Sequence, residues 1–266
     1  MNPTKELYIY LQDFSPVGIA LSGGMDSSTL TAFCARNRIA YKAYTLAGPH
    51  LTDFELERVF SWTRRHSINH QFLFFNPLTD VNIRLNCALR CYYCKSASFF
   101  FLLKNSADEM KTFIDGTREE DLDSYRPGVK ALQELNVRSP FADLGFDRSM
   151  IIDMARSMDF YDLDRYSRSC ILTRFEYGLS LSGKLVEKIR IVEDYLLRIQ
   201  VSGFRLRMFK PKRIVLQVDR KYAEMIKKIG GNLDSLMRDQ GLYPYELQFM
   251  DFDEISGYFD QKRTEV

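Results

Sequence analysis

Histidine, tryptophan and cysteine are scarce in this chain: three, one and five residues in 266. His50, His66 and His70 show no ligand spacing with one another, so none is expected to build a metal site. Trp62 falls in a helical pattern and reads as a core or interface residue. The cysteines, at 34, 87, 91, 94 and 170, are odd in number. In a chain of intracellular character that argues against a disulfide framework. An excess of one charge is also missing. The formal net charge is +2, which does not point to a nucleic-acid coat or a membrane surface. The longest strongly apolar stretch, near Phe99 to Leu103, is far too short to span a bilayer. The opening residues lack the basic-then-apolar pattern of a secretory segment and read instead as an amphipathic helix over Met1 to Gln12. Repeats and low-complexity segments are absent. The expectation is a soluble, cytoplasmic protein with no membrane or nucleic-acid partner.

What is present is a core. Hydrophobic residues make up 45% of the chain, enough for one large domain with a small companion. Val17 to Leu21, Ile39 to Leu46, His70 to Phe75 and Thr112 to Asp115 read as strands. Helices are expected over Asp26 to Arg38, Thr52 to His66, Lys95 to Lys104, Pro127 to Leu135 and Asp147 to Met158. Leu85 to Cys94 reads as irregular. Alternating strands and helices predict an α/β fold with a doubly wound, mostly parallel sheet over residues 1–180. After about Ser180 the pattern changes. A long helix (Ser182 to Ile199), a hairpin (Phe204 to Phe209 and Arg213 to Val218), a helix (Asp219 to Ile229) and a strand (Tyr245 to Phe249) predict a small α+β domain over 181–266.

Ligands of such sheets bind beyond the carboxyl ends of strands. Two segments end there: Ser22-Gly23-Gly24 and Gly116-Thr117. The glycines let backbone N–H groups approach an anion, and the following helix offers its N-terminal N–H groups and positive dipole end. Ser22, Ser27 and Ser28 can add hydroxyl donors, while Asp26 suits Mg²⁺ held beside a phosphate. The string Ser22 to Ser28 resembles the PP-loop, SGGxDS, of the ATP pyrophosphatase superfamily, in the strand–turn–helix context the motif needs. The resemblance implies ATP as substrate, cleavage between the α- and β-phosphates, adenylylation of a carbonyl or carboxylate oxygen, and displacement of AMP by a nucleophile. Ser22, Gly23, Gly24, Asp26, Ser27, Ser28 and Gly116 are then the expected ATP-binding residues.

Further segments narrow the branch. Asp115-Gly116-Thr117 with Asp121 to Gly128 resembles the DGTNxDDxxDYRPG segment of LarE-type sulfur insertases, though Arg118 stands where that segment has Asn. Val137 to Phe141 resembles its VRSPL, Arg90-Cys91-Tyr92-Tyr93-Cys94-Lys95 its RCYxCK, and Ser169 to Arg174 with Tyr177-Gly178 a diverged ACLASRxPYG. The segment preceding Cys170 lacks the family's Lys-Pro-Ala. The resemblance implies a sulfurtransferase that acts on a pyridinium dicarboxylate mononucleotide in making the nickel-pincer nucleotide cofactor. Its sulfur would come from sulfide or from cysteine. It makes Cys170 the sulfur-handling cysteine. Two chemistries stay open there: Cys170 is sacrificed to dehydroalanine, or Cys91, Cys94 and Cys170 hold a [4Fe–4S] cluster with one open iron. The cluster is the favoured expectation. Its alternative makes Cys91 and Cys94 packing residues. Cys87 completes a C-x3-C-x-aromatic-C pattern that reads as coincidence, and Cys34 reads as core.

Arg205 and Arg207 alternate along a strand and so share a face, which suits a phosphate or carboxylate. The resemblance places them, with Glu193, near the acceptor pocket; the alternatives are a solvated sheet face and a plain surface charge. Arg126 is a further candidate for nucleotide phosphate. A homo-oligomer is expected. The competing function is a tRNA-thiolating or other adenylylating PP-loop enzyme, for which a basic face or RNA-binding extension would be needed.

Overall fold

In the computed structural model the described residues are 2–106, 110–121, 127–159 and 168–261. The chain runs through α1 (Pro3–Phe14), β1 (Val17–Ala20), α2 (Met25–Arg36), β2 (Tyr41–Ala47), α3 (Asp53–Arg65) and β3 (His70–Phe74). Then come α4 (Val81–Arg84), α5 (Arg90–Ser106), β4 (Thr112–Ile114), α6 (Pro127–Glu134), α7 (Pro140–Asp143) and α8 (Arg148–Ser157). The rest comprises α9 (Gly183–Arg198), β5 (Phe204–Phe209), β6 (Arg213–Asp219), α10 (Ala223–Lys228), α11 (Gly230–Asp239), β7 (Glu246–Met250), α12 (Phe252–Ile255) and α13 (Tyr258–Gln261). Two compact units form. One is Met1–Gly48, Glu55–Pro77 and Leu89–Ser167; the other is Pro49–Phe54, Leu78–Ala88 and Arg168–Val266.

The first unit is built on a parallel sheet of order β3-β2-β1-β4. Alternating strand residues feed two cores, because successive side chains leave opposite faces of a strand. Val17, Ile19, Ala43 and Ile114 pack with α1, α2, α3 and α8 residues such as Leu11, Leu30, Trp62 and Ile151. Tyr44 and Phe113 pack with Phe99 and Leu102 of α5 and Leu132 of α6. Helices thus cover both faces, the doubly wound arrangement expected. Gly18 leaves room on the second face for the Phe113 ring, whose atoms would lie 2.6–2.9 Å from a Cβ there. The strand order reverses between β1 and β4. The topological switch point, where such sheets bind ligands, therefore lies at their carboxyl ends.

α2 is buried without interruption from Ser27 to Cys34, so it is an internal helix rather than an amphipathic one. α5 begins at Arg90. The stretch Arg90 to Cys94, expected to be irregular, is its first turn and a half, with Tyr93 N–H donating to Leu89 O at 3.1 Å. No helix among the described residues is long and apolar enough to cross a membrane.

In the second unit β5 and β6 form the expected antiparallel hairpin, and β7 joins β6 in parallel. α9 opens with Ser182 accepting from Leu185 N–H as its N-cap and buries Val186, Ile189, Val192, Glu193, Leu196 and Leu197 at helical spacing. Asp219 to Ile229, expected as one helix, is a 3-10 turn followed by α10. α11 was not expected: its apolar residues are few and Gly230-Gly231 opens it.

Candidate active site

The loop after β1 is closed by its own side chains. Ser22 N–H donates to Ser27 Oγ at 3.2 Å, the two hydroxyls are 3.0 Å apart, and Gly24 N–H donates to Ser22 Oγ at 3.3 Å. Gly23 has φ +78° and lies against Val59, so a side chain there is strained twice. Ser22 and Ser27 thus shape the loop. Ser28 and Thr29 sit fully buried in the first turns of α2, and their hydroxyls have no hydrogen-bond partner. A buried hydroxyl left unpaired is costly, so Ser28 is suited to an acceptor that the loop receives.

Gly116, just past β4, packs onto this turn. A Cβ on it would lie 2.7 Å from Ser27 N and 3.0 Å from Asp26 C and Ser27 Cα. These are backbone atoms that cannot step aside. The position demands glycine so that the β4 end can close on the start of α2 at the switch point.

Asp115 organises what surrounds the loop. Its buried carboxylate accepts from Lys95 Nζ at 3.0 Å, Thr117 N–H at 3.1 Å, Thr117 Oγ1 at 2.8 Å and Ser139 Oγ at 2.8 Å. Burial alone would raise its pKa; Lys95, with the Thr117 and Ser139 hydrogen bonds, holds it below the usual carboxylate range. Three separate sequence segments meet on this one side chain: Arg90 to Lys95, Asp115 to Thr117, and Val137 to Phe141. Gly128 of α6 adds to the assembly, since a Cβ there would lie 3.1 Å from Lys95 Cγ. Lys95 and Ser139 were not expected as site residues, although both lie inside quoted segments. Their signal was a lysine and a serine fixed in register with the cysteines and with Pro140.

Asp26 lies beside Arg118, with Nε 3.4 Å from Oδ2. Arg118 also reaches Glu120 at 2.9 Å and Asp121 at 3.4 Å. Burial raises the Asp26 pKa, opposed by Arg118 and reinforced by Asp121. Arg126 and Asp123 lie outside the described residues.

Cys91 and Cys94 stand three residues apart on α5. Burial, with Cys91 beside it, pushes the Cys94 thiol up to about 11. Cys170 and Cys87 belong to the second unit. Among the described residues no three His, Cys, Asp or Glu side chains gather to hold a metal ion.

In the second unit the peptide around Cys170 is gripped by Arg174. Its Nη1 donates to Ser169 Oγ at 3.0 Å and Nη2 to Ser169 O at 3.0 Å, and the Cys170 carbonyl also accepts from Thr173 N–H at 2.9 Å. Arg174 is itself held by Glu193, Nε to Oε1 at 2.6 Å and Nη2 to Oε2 at 3.1 Å. Arg168 reaches Glu193 at 3.0 Å, and Leu206 N–H donates to it at 2.9 Å. Glu193 is fully buried and is not a surface charge. Burial alone would raise its pKa, and Arg174 and Arg168 lower it.

Arg205 and Arg207 are buried as well, so they do not form a solvated face. Arg207 donates to Gln217 Oε1, to Thr173 O and to Ile255 O. Burial and the neighbouring Arg174 lower the Arg205 pKa well below its ordinary value and that of Arg207 to about 9.

Comparison with known proteins agrees with this geometry. The asparagine synthase family model matches residues 9–92, which include the phosphate loop. An uncharacterized protein of Synechocystis sp. is 31% identical over 71% of this chain and 71% of its own length. Another, from Methanocaldococcus jannaschii, is 26% identical over 74% of this chain and 75% of its own. The pyridinium-3,5-bisthiocarboxylic acid mononucleotide synthase of Lactiplantibacillus plantarum is 26% identical over 74% of this chain and 72% of that protein. With the loop at the switch point and three family segments meeting at Asp115, the chain belongs to the LarE-type sulfurtransferases of the PP-loop ATP pyrophosphatase superfamily.

Proposed function

We propose that this enzyme adenylylates a carboxylate of a pyridinium dicarboxylate mononucleotide and replaces one of its oxygens with sulfur. The observation that carries the reading is the meeting of three family segments on Asp115 beside the phosphate loop. The name of the Lactiplantibacillus relative supports the substrate.

The substrate carboxylate oxygen attacks the α-phosphorus of ATP, and the α–β bridging bond breaks. Pyrophosphate leaves into the loop, where the backbone N–H groups of Gly23 and Gly24, the first turn of α2 and the Ser28 hydroxyl favour its charge. Asp26 is the residue that would hold the Mg²⁺ bound with ATP, which would offset phosphate charge there. Asp115 and Lys95 keep the β4 end against α2 while this happens.

Cys170 is the sulfur source in this reading. Its thiolate attacks the acyl carbon of the adenylate, and AMP leaves with the carboxylate oxygen. Loss of the Cys170 α-proton then breaks the Cβ–S bond, releasing the thiocarboxylate and leaving dehydroalanine. Arg174 and Glu193 hold the Cys170 peptide. Arg205 and Arg207 are assigned to an anionic group of the acceptor. Burial first, then the neighbouring guanidinium groups of Arg174, Arg168 and Arg207, disfavour the charge on Arg205, and an arriving anion offsets that repulsion. No step is routed through an iron–sulfur cluster.

The test is product analysis. ATP should yield AMP and pyrophosphate, Asp26→Ala should lose pyrophosphate release, and mass spectrometry after one turnover should show Cys170 lighter by hydrogen sulfide. ADP and phosphate as products would defeat the assignment. An intact Cys170 after sulfur insertion would defeat the sacrificial route.

A further inference from the structure

Arg118, directly after Asp115-Gly116-Thr117, departs from the resembled segment. It stands where the resembled segment has a neutral Asn, and it lies against the residue expected to take the metal. Its Nε is 3.4 Å from Asp26, its Nη1 2.9 Å from Glu120 and its Nη2 3.4 Å from Asp121. Its own N–H donates to Asp121 Oδ2 at 3.1 Å, which anchors the backbone as well. The Arg118 side chain is 13% exposed and Asp121 9%, whereas Asp26 is 33% and Glu120 53% exposed, so the Asp121 contact is the least screened by solvent. Its Nε–H is buried and makes no hydrogen bond: Asp26 is near enough for ion pairing but does not satisfy that donor.

We infer that Arg118 is a resident cation that occupies Asp26 in the nucleotide-free enzyme and yields it to the divalent metal only when ATP arrives. Before ATP binds, the guanidinium occupies Asp26 and offsets part of the negative charge of the three carboxylates, which weakens their hold on a second cation. When the triphosphate enters the loop, its oxygens offer the guanidinium a stronger partner and give the idle Nε–H an acceptor. Asp26 is then released to the metal that comes with the nucleotide. Metal capture becomes conditional on nucleotide, through a coupling that must work equally in both directions. The inference rests on the proposed use of MgATP by this loop.

The probe is Mn²⁺, with its affinity measured by electron paramagnetic resonance of the free ion. It is measured with and without α,β-methylene-ATP, which cannot be cleaved. Wild-type protein should bind Mn²⁺ weakly alone and about tenfold or more tightly with the analogue. Arg118→Asn should bind Mn²⁺ about tenfold more tightly than wild type without nucleotide, so that most of the nucleotide-dependent gain disappears. Arg118→Lys, which keeps the charge, should stay close to wild type. Arg118→Gln gives the same reading should the Asn variant fail to fold. A neutral variant that binds the analogue but leaves Mn²⁺ affinity at the wild-type value overturns the inference alone. So does a neutral variant that loses Mn²⁺ binding. Wild-type protein that binds no analogue overturns the nucleotide reading, and the inference with it.

Discussion

Replacing Asp115 by Asn tests whether one carboxylate holds the site together. Oδ1 accepts from Thr117 N–H and Ser139 Oγ, and Oδ2 from Lys95 Nζ and Thr117 Oγ1. An amide nitrogen at either place faces a donor that has no choice: a backbone N–H on one side, an ammonium on the other. The substitution therefore leaves one buried clash of donors in either orientation and removes the charge that balances Lys95. Breaking a buried pair from one side costs about 3–5 kcal/mol. Lys95 is 38% exposed and can turn to water, which brings the expected loss down to about 2–3 kcal/mol. In a protein of this size that lowers the melting temperature by roughly 5–10 °C.

The pH dependence has a definite sign. The folded pKa of Asp115 is depressed, so its contribution is fully present above the unfolded value of about 3.9 and is lost as pH falls through the folded pKa. The stability gap between wild type and Asp115→Asn should be constant near neutrality and narrow below about pH 4. Urea titrations across this range measure it. A gap under about 1 kcal/mol at pH 7, or one that widens in acid, would refute the account of Asp115 as a charged hub.

Three other outcomes are expected. Gly116→Ala should keep the fold at a cost of about 1–3 kcal/mol but push the first turn of α2 off its position, weakening ATP binding about tenfold or more as read by calorimetry; an unchanged affinity would deny the close approach any role. The double variant Arg205→Ala, Arg207→Ala should weaken binding of the acceptor while leaving ATP binding nearly intact, whereas equal loss of both points to a folding role. Protein purified anaerobically should be free of iron, and Cys91→Ser with Cys94→Ser should still insert sulfur. Iron at cluster stoichiometry that disappears with these substitutions would restore the cluster.

The parallel sheet was legible because each strand is an apolar run that ends in a turn signal, and the phosphate loop because its glycines follow one such strand. α5 was misread at its start. Arg90 to Cys94 carries two cysteines and two tyrosines, all weak helix formers, and the packing of the following apolar turns overrode that local preference. Pro49–Phe54 and Leu78–Ala88 belong by contact to the second unit, although no shift of composition marks them. Period-two spacing put Arg205 and Arg207 on one face, but spacing cannot tell a wet face from a dry one. β5 is buried on both faces, and on the arginine face the rings of Phe252, Tyr258 and Phe259 lie against the guanidinium groups. Glu193 was equally opaque, since a carboxylate inside an apolar helical stripe is legible only once its arginines are known.

Each unit is specified by one buried carboxylate that joins segments distant in sequence. Asp115 ties together residues 95, 117 and 139; Glu193 ties residues 168 and 174 to the backbone of Leu206. Burying such a charge is expensive unless every lone pair is used, and here several donors converge on each. A hydrophobic residue of the same size could fill either space and keep the unit folded. It could not fix the β4 end against α2, nor the Cys170 peptide against α9, because apolar contacts have no preferred direction. Directional bonds to a fixed charge do have one. The two carboxylates thus sit where the proposed reaction needs position more than stability: one beside the phosphate loop, the other behind the arginine that grips the Cys170 peptide.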